Sequence, residues 1–263
     1  MIPIIHADLV RMARRRTMVI AAAGSLLFSA VAALTVFSSA RDSGGAPSRR
    51  AGTTLDALSG NGGGTEAFAV GASFTGFVVF VTFIALLATE FSGGTFRATL
   101  LRNPHRLQVI VAKLAGILIV AAGIVALAEV FTFVISLLVA PSQDVSTADW
   151  FSTGSVGAAM RDYATVLAGV AGWAVFGTML AVIFRSAPLA LGVGFAWAGP
   201  FENIIVDSWD PGLRYFPGQV LASLIQGGTT ELGIGRAAAT AAIYTGVAAV
   251  VALVLVSRRD VTA

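Results

Sequence analysis

The chain has no cysteine, one lysine and two histidines among its 263 residues, and only 12% of them are charged. Each shortage removes a class of chemistry. Without cysteine there is no disulfide framework and no thiolate metal site. The histidines, His6 and His105, stand far apart, in no H-E-x-x-H spacing and with no G-x-S-G element. Intramembrane proteolysis by a metal or by a serine–histidine pair therefore lacks its parts. A phosphate loop of the form G-x4-G-K-[ST] needs lysine directly after glycine, whereas Lys113 follows Val111 and Ala112. ATP has no such loop to bind here. The scarcity of charge excludes most. Soluble domains carry about 25% charged residues, and this chain is 56% hydrophobic with a mean hydropathy of +0.85. It must be solvated by lipid.

In place of charge the chain has six long apolar runs, at 17–38, 68–89, 109–140, 163–184, 188–206 and 237–257. Each exceeds the ~17 residues that cross the hydrocarbon core as a helix. The expected fold is an all-α integral membrane protein with six transmembrane helices in a single domain over 1–263. The third run is long enough that it must tilt or project. The fifth is interrupted by Gly199-Pro200 and carries Glu202, which predicts a broken helix.

Residues 1–16 read as an amphipathic helix lying on the membrane surface. Ile5, Leu9 and Met12 recur at i, i+4 and i+7, opposite His6, Asp8 and an arginine cluster. A basic start and Ser38-Ser39-Ala40 also resemble a secretory leader. However, the uncharged run 17–38 exceeds the ~7–15-residue apolar core of such leaders, so it is expected to stay as the first span. The Gly- and Ser-rich stretch 41–66 has no periodicity and reads as a mobile external linker.

Orientation follows from arginine and lysine. With the N-terminus inside, the cytoplasmic side holds Arg11, Arg14, Arg15, Arg16, Arg97, Arg102, Arg106, Lys113, Arg185, Arg258 and Arg259. The outside holds Arg41, Arg49, Arg50, Arg161, Arg214 and Arg236. This bias places both termini in the cytoplasm, and it explains the net charge of +3 by topology, with no nucleic-acid partner. Arginine far outnumbers lysine, beside abundant Ala, Gly and Val. That composition points to a GC-rich bacterial genome, and so to a bacterial plasma membrane.

The densest signal lies at 90–113, a basic amphipathic island between two apolar runs. Gly93-Gly94 lets the chain leave the second span sharply. Phe96, Leu100 and Leu101 are expected on one side of a short helix, with Arg97 and Arg102 toward the other. Asn103-Pro104 reads as a stop and restart, Asn103 as N-cap and Pro104 as first residue of the third span. Glu90, at the boundary, has Arg97, Arg106 or an N-terminal arginine as candidate partners. A plain anchor at the lipid headgroups is the alternative use of such a segment.

The pattern Glu90, Gly94-Thr95, Arg97, Leu100, Pro104, Arg106 and then Lys113 opening an apolar helix resembles the permease subunits of ABC-2 type ABC exporters. Arg214-Tyr215-Phe216-Pro217 followed by Leu221 and Leu224 is similar to the aromatic–proline segment before their last span. The resemblance covers essentially the whole chain. It implies that 90–107 is a cytoplasmic coupling helix docking on a separate ATPase, through Glu90, Gly94, Thr95, Phe96, Arg97, Leu100, Leu101, Arg102, Pro104 and Arg106. It also implies a second permease copy or homologue, ATP and magnesium on the partner rather than on this chain, and no enzyme activity of its own. A non-transporting scaffold or immunity protein is the competing class.

Inside the spans, Glu129 costs about 2.5–3.5 kcal/mol to insert and so should face a cavity, a partner or a proton. It is read either as a substrate or proton contact or as a protonated or hydrogen-bonded carboxyl at a helix interface. Glu202 and Asn203 are placed at the outer end of the fifth span, near the mouth of a path or at a plain interface. Trp173 and Trp197 read as packing or belt residues. Gly169, Gly172 and Gly177 read as close helix packing, with 168–172 as a contact face.

Overall fold

Backbone groups in hydrocarbon must be satisfied within their own segment, which turns long apolar runs into helices. The computed structural model describes residues 2–13, 16–40 and 54–258, and among them there is no β-strand. Arg14, Arg15, Arg41, Arg49, Arg50 and Arg259 lie outside the described residues, as do the side chains of Arg11 and Met12 and the 41–53 part of the expected linker. The helices are α1 (Ile2–Ala13), α2 (Arg16–Ser39), α3 (Leu55–Ser59), α4 (Gly63–Ser92), α5 (Thr95–Arg102) and α6 (Arg106–Val139). They continue as α7 (Thr153–Phe184), α8 (Ala187–Ala196), α9 (Glu202–Ser208), α10 (Pro217–Ile225) and α11 (Ile234–Arg258).

Among the described residues, six stretches are long and apolar enough to span: Met18–Ser39, Gly63–Ser92, Arg106–Gln143, Thr153–Phe184, Ala187–Ser208 and Ile234–Arg258. The chain is a multi-pass integral membrane protein. The spans begin where caps and packing dictate, not where hydropathy rises. The fourth starts at Thr153 instead of 163 because Ser152 caps it, accepting a hydrogen bond from the Ser155 amide at 3.1 Å. Arg161 and Asp162 dilute its apolar run without ending the helix. The second starts at Gly63 instead of 68. Within the expected linker, Leu55–Ser59 forms α3, held where Trp150 Nε1 donates to the Leu58 carbonyl at 2.8 Å and Leu58 is completely buried.

The interruption in the fifth span is a widened turn rather than a break. Trp197–Phe201 forms one π-helical turn around Pro200, and α9 continues beyond it. A missing proline N–H is absorbed by such a turn.

Helices α4 and α7 form the centre, with Phe80, Phe83, Ile84, Val170 and Trp173 buried between them and their neighbours. Gly169 and Gly172 admit α10, since a Cβ on Gly169 would collide with Ile225 and one on Gly172 would lie 2.5 Å from Leu221. The contact face expected at 168–172 is therefore Gly169 with Gly172, one helical turn apart, while Ala168 is exposed. Helix α10 is only nine residues, about 14 Å, too short to cross. Leu221 and Leu224 bury it against the bundle, and Gly227 and Gly228, at φ +71° and +101°, turn the chain back toward α11. A second apolar cluster, of Ala33, Phe37, Leu58 and Trp150 with Phe133 beside it, closes the opposite end of the bundle from α5.

Candidate functional site

At the α5 end the chain leaves α4 through Gly94, whose φ of +71° caps α5. That left-handed conformation suits glycine and few other residues. Phe96 is buried, its ring 4.4 Å from that of Phe91, while Arg97, Leu101 and Arg102 are exposed. Thr95 Oγ1 donates to the Glu90 carbonyl at 3.3 Å, bracing the turn. Leu101 departs from its expected side. Phe96 and Leu100 stand at i and i+4 on the inward face, whereas Leu101 is one step further round and 82% exposed.

The restart also differs. Asn103 ends α5 in extended geometry, as a residue before proline prefers, and α6 begins at Arg106 with His105 as its N-cap. Pro104 is thus a link between two helices and not the first residue of the span.

Beneath this helix lies a buried ion cluster. Lys113 Nζ is 2.7 Å from Glu90 Oε2 and 3.3 Å from Asp8 Oδ2, and all three residues are at most 7% exposed. Asp8 therefore leaves the polar face of α1 on which its spacing put it. A lone ammonium in an apolar helix needs anionic partners once water is gone, and α1 and α4 each supply one. The Arg185 guanidinium, at the turn from α7 into α8, stands 5.9 Å from the Phe91 ring. The helix ends around α5 are thus tied together, α1 and α4 to α6 by the ion cluster and α4 to the end of α7 by Arg185 over Phe91.

Glu202 is fully buried and accepts hydrogen bonds from the Gly218 and Gln219 amides, each at 3.2 Å. It satisfies the free N–H groups that open α10. It lies within the fifth span, which runs on to Ser208, and not at its end. Asn203 stays exposed, donating to the Gly199 carbonyl at 2.6 Å and accepting from Gln219 Nε2 at 3.2 Å. Glu202 was detectable in sequence only as an acid in a span. Its role depends on α10 folding back beside it.

Glu129 does face a cavity. A space of about 570 Å³ lies between α6, α7 and the first turn of α4, walled by Phe133, Trp150, Phe151 and Tyr163. Glu129 Oε1 is buried and accepts no hydrogen bond from any described residue. Asp162, close enough to act on it electrostatically, accepts from Thr65 Oγ1 at 3.0 Å. Sequence reasoning passed over Asp162 because it fell outside the assumed fourth span. Among the described residues no group of three or more acids and histidines forms a metal site.

A search of curated proteins found no match to the chain. A family model described as a protein of unknown function, DUF2705, matches residues 50–195. That segment carries α4, α5, α6, α7 and most of α8, including α5, Lys113 and the Glu129 cavity. The chain belongs to the DUF2705 family.

Proposed function

We propose that this protein is the membrane-spanning permease subunit of an ATP-driven ABC-2 type exporter, with both termini and α5 on the cytoplasmic face of a bacterial plasma membrane. The observation that carries this reading is α5 itself. It is a short helix presenting Arg97, Leu101 and Arg102 outward while Phe96 buries its inner face and Thr95 braces its first turn on the backbone of Glu90, whose side chain joins the Lys113 cluster. A helix meant only for headgroup anchoring needs no such mount. A helix that transmits force does, because movement at its exposed face must reach α1, α4 and α6 together. The spacing from Glu90 to Lys113 that resembles ABC-2 permeases coincides with this assembly.

In this mechanism a separate ATPase docks on α5, and its closure on ATP shifts α5 as a rigid lever. The ion cluster passes that shift into α1, α4 and α6, reorienting the permease against a second copy or homologue. ATP and magnesium stay on the partner. The test is to purify the tagged chain in mild detergent from its host and identify what accompanies it. The expected result is a stoichiometric P-loop ATPase, lost on Arg97→Glu while membrane insertion is unchanged. An intact, folded chain that carries no ATPase would count for the scaffold class instead.

A further inference from the structure

Every polar hydrogen on a side chain lining the Glu129 cavity is directed at the protein's own acceptors. Trp150 Nε1 donates to the Leu58 carbonyl, Tyr163 Oη to the Ala122 carbonyl at 3.2 Å, and Ser155 Oγ to the Asp149 carbonyl at 2.7 Å. Thr65 Oγ1 has both the Gly62 carbonyl and Asp162 as acceptors. What faces the space is therefore the Glu129 carboxyl, whose Oε1 receives no donor, with Asp162 nearby, and the aromatic rings of Phe133, Trp150, Phe151 and Tyr163. Arg161 acts on Asp162, but among the described residues no cation offsets Glu129.

Such a lining discriminates by chemistry. An anion would find no side-chain donor, and a sugar or peptide would leave its own N–H and O–H groups short of partners. A neutral apolar molecule would leave the Glu129 oxygen as it is. A positive charge spread under aromatic or alkyl groups meets both demands, because ring faces attract cations and the carboxylate supplies the counter-charge. At about 570 Å³ the space lies within the range of drug-sized ligands.

We propose that the cavity between α4, α6 and α7 binds lipophilic monocations, with Glu129 as the counter-charge and Trp150, Phe133 and Tyr163 as the aromatic wall. This deepens the exporter reading by naming a class of cargo, yet it is read on the chain alone. Failure of binding therefore leaves the ATPase reading standing on its own test. The probe is tetraphenylphosphonium, whose charge does not depend on pH, measured by equilibrium dialysis against the purified full chain in non-ionic detergent. Tetraphenylborate, similar in shape and opposite in charge, is the control.

The expected result is saturable binding of the cation, at least about tenfold weaker binding of the borate, and a similar loss of cation binding in Glu129→Gln. Ala159→Phe fills the cavity from α7 while keeping Glu129, and should lose binding as well. This second variant decides the matter if Glu129→Gln does not fold. Equal binding of both probes, or cation binding unchanged in either folded variant, overturns the proposal and makes the space a lipid-filled groove.

Discussion

Two acids toward opposite ends of the bundle, Glu90 buried and Glu129 half-buried, are treated in opposite ways. Glu90 is 7% exposed and lies 2.7 Å from the only lysine in the chain. Glu129 holds a buried oxygen that receives no donor from the described residues. Both sit on long apolar helices, and both cost free energy to place there. The difference lies in what each acid does for its surroundings. Around Glu90 the cost is offset by a cation that joins three helices, so the acid is part of the frame. Around Glu129 no neighbouring side chain offsets it, and the acid stands beside an open space that a proton or a bound cation can enter. An acid with no donor beside an open space is therefore a better pointer to a ligand than one paired with a cation.

The sharpest way to break this contrast is to remove the lysine. Lys113→Met keeps the length of the side chain but withdraws its charge from both Asp8 and Glu90. Breaking a buried ion pair from one side costs about 3–5 kcal/mol, so the variant should show the largest fall in thermal unfolding midpoint in detergent. Glu90→Gln added to Lys113→Met should recover part of that fall. A Lys113→Met chain as stable as the native one would mean that the cluster carries no structural load, and α5 would lose its mount.

Glu202 stands between the two extremes, satisfied by backbone amides rather than by a cation. Glu202→Gln keeps one acceptor and turns an amide group against the second N–H of α10. A loss of about 1–3 kcal/mol is expected from the group left without a partner. It should be local, so protease sensitivity should rise first between α9 and α10. Cleavage appearing elsewhere first would place the load of Glu202 outside the α10 cap.

The contrast also shows what could be read without coordinates. Six spans were legible because a hydrocarbon slab demands runs of a fixed length, and composition alone declares them. The turn at Gly94 was legible because the left-handed region selects glycine. Glu129 stood out because a mid-span acid is costly wherever the helix packs. Pairing was not legible. Asp8 and Lys113 are far apart in the chain, and helical spacing put Asp8 on the wet face of α1, where packing of α1 on α6 overrides it. A lone lysine inside an apolar helix was itself a signal that an acid must meet it. The cap role of Glu202 and the nearness of Asp162 to Glu129 required the tertiary fold, since α10 and the first turns of α7 carry no apolar run long enough to announce them.

A smaller effect is expected at the α5 turn. Gly94 has open space where a Cβ would stand, so Gly94→Ala meets no clash and suffers only from its φ of +71°. That conformation costs an alanine about 1–2 kcal/mol. Gly94→Asn, better suited to the left-handed region, should lose less. Gly94→Pro cannot adopt a positive φ, so it should displace α5 and abolish ATPase co-purification while the spans still insert. Should Gly94→Pro retain the partner, α5 is not the docking element.

The smallest effect on stability, and the most telling, belongs to Glu129→Gln. Replacing a carboxyl whose buried Oε1 no neighbour satisfies breaks no hydrogen bond to that oxygen within the described residues. The variant should unfold at the native temperature or slightly above it, whereas Glu90→Gln, which robs Lys113 of a partner, should unfold below it. Measured side by side, the two substitutions make the same chemical change at the two ends of one molecule. A drop in stability for Glu129→Gln as large as that for Glu90→Gln would show that Glu129 has a protein partner after all, and the cavity would lose its claim to a ligand. Unchanged stability joined to lost cation binding would identify Glu129 as an acid kept for what it binds.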